Sequence, residues 1–119
     1  MIGVLLWLPE PPSANRYWRH VGSRVVLSRE AKAYRETVTA VYAKYMGTLK
    51  VAFPKGDVQV SLDWYRSRKS GDLDNRIKQA LDAFRGLAYT DDSQVASIEA
   101  RRHDVPAYRG QLKVWVQSL

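Results

Sequence analysis

Apolar residues recur along this chain in two rhythms. Between Asp57 and Tyr65 the alternation is strict, with Val58, Val60, Leu62 and Trp64 on one side and Asp57, Gln59, Ser61, Asp63 and Tyr65 on the other. That is the period of a half-buried strand. A shorter unbroken run, Ile2 to Leu8, ends at Pro9 with Pro11 and Pro12 close behind, which predicts a buried first strand leading into an extended, turn-rich segment. The rhythm becomes helical in SREAKAYRETVTAVYAKYMG. There Ala31, Tyr34, Val38, Val41 and Tyr45 share a face, Ser28 can cap, Glu30 suits the positive N-terminus and Gly47 can end the helix, so a helix is predicted over 28–46. Ile77, Ala80, Leu81 and Phe84 mark a second amphipathic helix, capped by Asp74 or Asn75 and ended by Gly86. Val95 to Arg101 and Leu112 to Val116 read as two more strands, and the connection from Asp104 to Gly110, with Pro106 and Gly110, predicts that they form a hairpin. The order is β-α-β-α-β-β, and the residues around Met46 to Gly56 are expected to form a surface loop.

Length confines this pattern to one domain. The 119 residues, 45% hydrophobic and 26% charged, suffice for a single core spanning 1–119 but not for two, and no repeat, low-complexity tract or linker interrupts them. The absence of cysteine excludes disulfide frameworks, thiolate metal sites and Cys nucleophiles. A metal would be held by oxygen, with histidine as the other option, which favours Mg²⁺ or Mn²⁺ over zinc. The opening apolar run is too short for a membrane span and lacks the basic start and cleavage site of a signal peptide. The expectation is a cytoplasmic protein with no membrane partner.

Charge changes the picture. The net charge is +7, yet residues 71–92 hold five of the twelve acids, Asp72, Asp74, Asp82, Asp91 and Asp92, against Arg76, Lys78 and Arg85. This stretch carries −2 while the rest carries +9. A basic body attracts a polyanion, and carboxylates placed where the polyanion would lie repel it unless a cation intervenes. The combination points to metal-dependent work on a phosphate backbone.

Phosphodiester hydrolysis needs a nucleophilic water, charge neutralisation and a stabilised leaving oxygen, and Mg²⁺ held by carboxylates supplies all three. If the Asp-x-Asp stretch is extended, Asp72 and Asp74 face one ion while Leu73 turns into the core. The first pair follows a strand and opens a helix, and Asp91 and Asp92 lie just before the next strand, so neighbouring strands would bring both pairs to one edge of the sheet. Asp92 would then complete the set. Lys78, one turn beyond Asp74, is placed to contact the scissile phosphate, and Asn75 to orient a ligand or water. Residue by residue a plainer reading stays open: Asp74 as a cap, Asp91 as a turn former, Lys78 paired with Asp74 or Asp82. Asp82, four residues after Lys78, is expected to be an ion-pair partner outside the site.

Three stretches, PPSANRYWRH, DLDNRIKQALDAF and YTDDSQV, resemble in sequence and order the RusA family of Holliday junction resolvases, small homodimeric endonucleases often found in phages and prophages. The resemblance implies a RusA-like α/β (α+β) domain with a mixed sheet and two main helices. It also implies a Mg²⁺-dependent enzyme, with Mn²⁺ able to substitute, that nicks two opposing strands of a four-way DNA junction symmetrically. The family's essential carboxylates fall on Asp72, Asp74 and Asp92 and its catalytic lysine on Lys78, while Asp91 and Asn75 match further family positions, Asp91 as an additional metal ligand. Gly71 departs from the pattern, standing where such proteins often carry a proline or a basic residue.

The basic residues divide into two groups. Arg66, Arg68 and Lys69 immediately precede Asp72, so a backbone bound by them would run across the carboxylates. Arg16, Arg19, Arg24 and Arg29 frame an N-terminal loop with Tyr17, Trp18 and His20, a mixture able to grip phosphates and to stack on an unpaired base, although Tyr17 and Trp18 are equally suited to packing. His20 and His103 are read as surface or hydrogen-bonded residues. Two symmetric nicks call for two identical sites, which a homodimer supplies. Two other readings remain open: a nuclease for flaps and other branched DNA, and a basic DNA-binding module whose acids merely cap and solubilise.

Overall fold

The computed structural model describes residues 3–119, so the expectation for Ile2 lies outside the described residues. The elements follow as strand β1 (Gly3–Pro9), a one-turn helix α1 (Ala14–Tyr17), strands β2 (Trp18–Val21) and β3 (Arg24–Leu27), helix α2 (Arg29–Met46), strand β4 (Val58–Tyr65), helix α3 (Asp74–Phe84), strand β5 (Val95–His103) and strand β6 (Gln111–Ser118). Single 3-10 turns, Asp92–Gln94 and Pro106–Tyr108, precede β5 and β6. The result is a single α+β domain built on a mixed sheet, as expected. Among the described residues no helix is long and apolar enough to cross a membrane.

The sheet runs β1-β6-β4-β5, with β4 and β5 parallel and the other pairs antiparallel. Alternate residues of three strands, Val4, Leu6 and Leu8, Leu112, Val114 and Val116, and Val58, Val60, Leu62 and Trp64, are buried on one face. Helices α2 and α3 cover that face through Tyr34, Val38 and Tyr42, and through Ala80, Ala83 and Phe84.

Helix α2 forms where the apolar spacing puts it. Ser28 Oγ accepts from the Ala31 amide at 3.0 Å, and Gly47 takes φ 71° while its amide closes on Ala43 at 2.8 Å. A left-handed C-cap of this kind suits glycine because it has no Cβ to clash. The buried stripe runs Ala31, Tyr34, Val38 and Tyr42. Tyr45, expected on that face, is 51% exposed, because the ideal 3.6-residue period brings Tyr42 round in its place.

Four expectations are corrected. First, β5 and β6 are not a hairpin, because β4 lies between them. The crossover through α3 sets β5 directly beside β4, and the apolar β6 takes the interior place on the other side of β4. The edge is left to β5, whose Glu99, Arg101 and Arg102 are exposed, as suits an unpaired edge. The connection crosses the end of β4, pinned by the Gly110 amide on Tyr65 at 2.7 Å and the Arg66 amide on His103 at 3.2 Å. Second, the basic N-terminal segment is not a loop. Helix α1 leads into a β2–β3 hairpin in which Trp18 pairs with Leu27 and Val21 with Arg24, an addition to the expected element order.

Third, the segment after α2 is a surface loop as expected over 47–50 and 54–56, but its middle is anchored. Phe53 is buried, and the Ala52 and Phe53 amides bond to Leu87 and Ala88. Fourth, neither Asp74 nor Asn75 caps α3, and the stretch before it is not extended. Leu73 is already right-handed helical at φ −59°, ψ −42°, half-buried against the core as expected. Backbone bonds from the Asn75 amide to Asp72 and from the Arg76 amide to Leu73 close the first turn, so no side-chain cap is needed there.

Candidate active site

Backbone closure of that first turn leaves two acids free. Asp72 and Asp74 both face solvent, and among the described residues neither takes part in an ion pair. Gly71 takes φ 92°, and a Cβ added there would lie 3.4 Å from the Trp64 ring. A chain turning from β4 into α3 at this angle favours glycine, which gives the departure from the family pattern a conformational reason.

Asp91 and Asp92 are placed by a different device. Gln94 Oε1 accepts from the Thr90 and Asp91 amides at 2.8 and 3.1 Å, while its Nε2 donates to Phe53 and Gly56 carbonyls at 2.9 and 3.0 Å. Asp91 Oδ2 in turn accepts from the Ser93 amide at 3.1 Å. These reciprocal bonds form a capping box, and the bonds from Ser93 hold the Asp91 carboxyl below its ordinary range. Asp92 projects from this fixed turn. Its carboxyl is pushed up, chiefly by partial desolvation and also by the charges of Asp82 and Asp91, with Arg85 and Lys78 working against them.

The two acid pairs do not meet at one edge of the sheet. Because β4 and β5 are parallel, with Val58 opposite Val95 and Tyr65 opposite His103, α3 must run back along them. Its first residues therefore stand near the exit of β4, while Asp92 lies near the entry of β5, beside the second half of α3. From Asp74 to Asp82 the rise along the helix is ~12 Å. Among the described residues no three of Asp, Glu and His gather closely enough to hold one metal ion. In kind the donors fit a hard divalent cation, since Asp72, Asp74 and Asp92 are exposed oxygen ligands, but within one chain they form two half-sites. Asn75 is half-buried, its carbonyl accepting from the Gln79 side chain.

Two residues lie between these half-sites. The plainer reading of Lys78, an ion pair with Asp74 or Asp82, is not found among the described residues; its Nζ lies 5.8 Å from the centre of the Trp18 ring. Asp82 is bonded not to Lys78 but to the hydroxyl of buried Tyr17, which donates to its Oδ2 at 2.5 Å. The contact spans 65 positions, beyond the reach of any local pattern.

The basic residues gather beside the first half-site. The loop carrying Arg66, Arg68 and Lys69 runs between two clefts of about 390 and 380 Å³. Arg16 and Arg76 line the first; Lys69 and Arg109 line the second. Arg66 is held by Asp104 in a two-bond pair, Nε to Oδ1 at 2.6 Å and Nη2 to Oδ2 at 2.9 Å, while Arg68 and Lys69 are exposed and make no ion pair. Arg19, on β2, is exposed and lines neither cleft. His103 is hydrogen-bonded, to Asp63 at 2.7 Å, as expected.

Sequence reasoning missed the acid that shapes this region. Glu10 accepts from Trp64 Nε1 at 2.8 Å, from the Ser67 hydroxyl at 2.5 Å and from the Ser67 amide at 3.2 Å. Burial would raise its pKa, but the bonds from Ser67 and Trp64 and the charge of Arg76 outweigh it and lower the value. Its place directly after the strand-ending Pro9 was the only available signal.

Comparison with known proteins gives the chain a family. The profile of the family described as endodeoxyribonuclease RusA matches residues 9–117. The crossover junction endodeoxyribonuclease RusA of Shigella sonnei is 36% identical over 105 residues, which cover 87% of this chain and 83% of that one. Relatives of the same name from Escherichia coli and Enterobacteria phage 82 are 35% and 34% identical over the same spans. The stretch of the family match takes in every element from the end of β1 to β6, both acid pairs and Lys78, and the chain belongs to the RusA family of endodeoxyribonucleases.

Proposed function

We propose that this protein is a metal-dependent endonuclease of branched DNA that resolves four-way junctions by paired nicks on opposing strands, acting as a homodimer. The observation that carries the reading is the continuity of the surface: an exposed basic loop, Arg68 and Lys69, runs directly into the unpaired carboxylates Asp72 and Asp74 and on to the unpaired ammonium of Lys78. Such a surface presents groups for phosphate and for a cation side by side.

Asp72, Asp74 and Asp92 would hold Mg²⁺, or Mn²⁺ in its place, and the ion when bound would supply charge neutralisation and an activated water. Arg68 and Lys69 would grip the backbone ahead of the cut. Lys78 would donate from Nζ to a non-bridging oxygen of the scissile phosphate, where negative charge grows in the transition state. Asn75 would support the first half-site, and Arg16 would extend the basic surface along the first cleft. Asp91 is the member for which the plainer reading has an observation in its favour, because its carboxylate is already engaged as a cap.

The dimer has a chemical reason: symmetric nicking needs two sites in matching orientation.

The test is cleavage of a labelled synthetic four-way junction with Mg²⁺, and separately with Mn²⁺, beside flap and linear duplex controls, with nicks mapped on all four strands. Paired symmetric nicks confined to the junction support the proposal. Equal cutting of every substrate would replace it with a general branched-DNA nuclease, and binding without any cutting would replace it with a DNA-binding module.

A further inference from the structure

Lys78 has a carboxylate one helical turn away on either side, Asp74 and Asp82, and the charge of Lys78 is also felt at Asp92. Side chains four apart on a helix are neighbours, so either acid is within reach of a weakly favourable pair with this lysine. None forms: among the described residues no carboxylate oxygen lies within 4.0 Å of Lys78.

Two consecutive residues account for the separation from Asp82. Tyr17, fully buried, donates its hydroxyl to Asp82 and holds that carboxylate at 2.5 Å. Trp18 packs edge-on against Tyr17, ring centres 4.6 Å apart, and lies under the Lys78 ammonium. Residues 17 and 18 thus meet α3 at positions 82 and 78, one turn apart. Their own position is set by Ser28, whose amide bonds to the Tyr17 carbonyl at 2.9 Å and whose hydroxyl bonds to the Arg16 carbonyl. A cation–π contact and an exposed helical ion pair are of similar strength, so Trp18 alone would not decide where Lys78 lies. Removing Asp82 from the competition lets it decide.

We propose that Tyr17 and Trp18 are positioning residues that keep Lys78 from pairing with Asp82 and hold its ammonium ready for the scissile phosphate. The proposal rests on the reading of Lys78 as the catalytic lysine, and the test separates the two.

In Tyr17→Phe the freed Asp82 captures Lys78, and kcat on saturating junction falls about twofold while KM barely moves. Adding Asp82→Asn removes the captor and restores kcat to the wild-type value. A double variant no faster than Tyr17→Phe would overturn the proposal, since a merely structural tyrosine is not rescued by a second lesion. Should Tyr17→Phe fail to fold, Trp18 serves: Trp18→Leu lowers kcat about fivefold and Trp18→Phe, which keeps a ring, recovers part of it; equal activity in the two would overturn the proposal.

A readout independent of activity is the NMR resonance of the Lys78 ε-methylene. It is shifted upfield by the Trp18 ring in the wild type and moves toward the free-lysine position in Trp18→Leu and Tyr17→Phe. An unmoved resonance defeats the positioning role, whatever the rates. If the resonance moves as described but Lys78→Gln cleaves like wild type, the positioning stands and the catalytic reading of Lys78 falls.

Discussion

Trp64 Nε1 and Glu10 Oε2 are 2.8 Å apart, and through this bond the exit of the central strand holds the exit of the first. Arg76 adds a third partner, its guanidinium 5.0 Å from the centre of the Trp64 ring and bonded to the Pro11 carbonyl. The knot fixes the PPSANRYW segment and the basic loop in one arrangement. A carboxyl whose pKa is lowered on folding stabilises the fold in full above its unfolded value and loses that contribution as the pH falls through the folded one. Glu10→Gln is therefore expected to be less stable than wild type at neutral pH, with the gap closing in acid below the ordinary glutamate range. Urea midpoints at pH 7 and pH 3 measure it, and a gap that stays constant would mean that the charge of Glu10 has no part in stability.

The Arg66–Asp104 pair makes an opposite-sign prediction about DNA. Removing a basic residue from a phosphate footprint weakens binding and flattens the slope of log K against log salt by about 0.9 per contact. Arg68→Ala and Lys69→Ala should each do this. Asp104→Ala should instead tighten binding and steepen the slope, because it frees the Arg66 guanidinium. Junction titrations at three salt concentrations distinguish these, and a slope unchanged by Arg68→Ala would remove that residue from the footprint.

Asp92→Asn and Asp72→Asn should abolish junction cleavage while keeping metal-free binding equal to wild type or stronger, since each removes a charge that repels phosphate. Gel-shift and cleavage assays on the same preparations give both numbers. Loss of binding by a folded variant would mean that the carboxylate supports the DNA surface itself.

Gly3 has no room for a side chain. A Cβ there would come within 2.3 to 2.8 Å of three atoms of the Trp115 ring, which belongs to the strand paired with β1. Overpacking of this kind costs about 1–3 kcal/mol. Gly3→Ala should lower the urea midpoint accordingly, and Gly3→Ala with Trp115→Leu should recover much of the loss.

What was legible in the sequence is what local pattern controls. Ser28 and Gly47 mark the ends of α2, and the alternation from Val58 to Trp64 marks the strand that lies at the centre of the sheet. The exposed acids Asp72, Asp74 and Asp92 also stand out, because their clustering in a basic chain is a property of the sequence itself. What was not legible depends on contacts between distant residues. The insertion of β4 between β5 and β6 leaves no local mark, since a seven-residue connection serves a hairpin and a crossover equally well. The role of Asp82 turns on Tyr17, and the division of the acids into half-sites follows from the parallel register of β4 and β5. Tyr45 was misread for a simpler reason: a helical stripe drifts, and Tyr42 serves the core as well.

The pairing of β1 with β6 alone has a consequence for biogenesis. A ribosome adds about 5–20 residues per second, so β1 is complete several seconds before residues 111–118 exist. During that interval Val4, Leu6 and Leu8 have no strand beside them. Among the described strands, the last one made is the one that joins β1 to the rest of the sheet, so β1 takes its place there only after residues 111–118 have been synthesised.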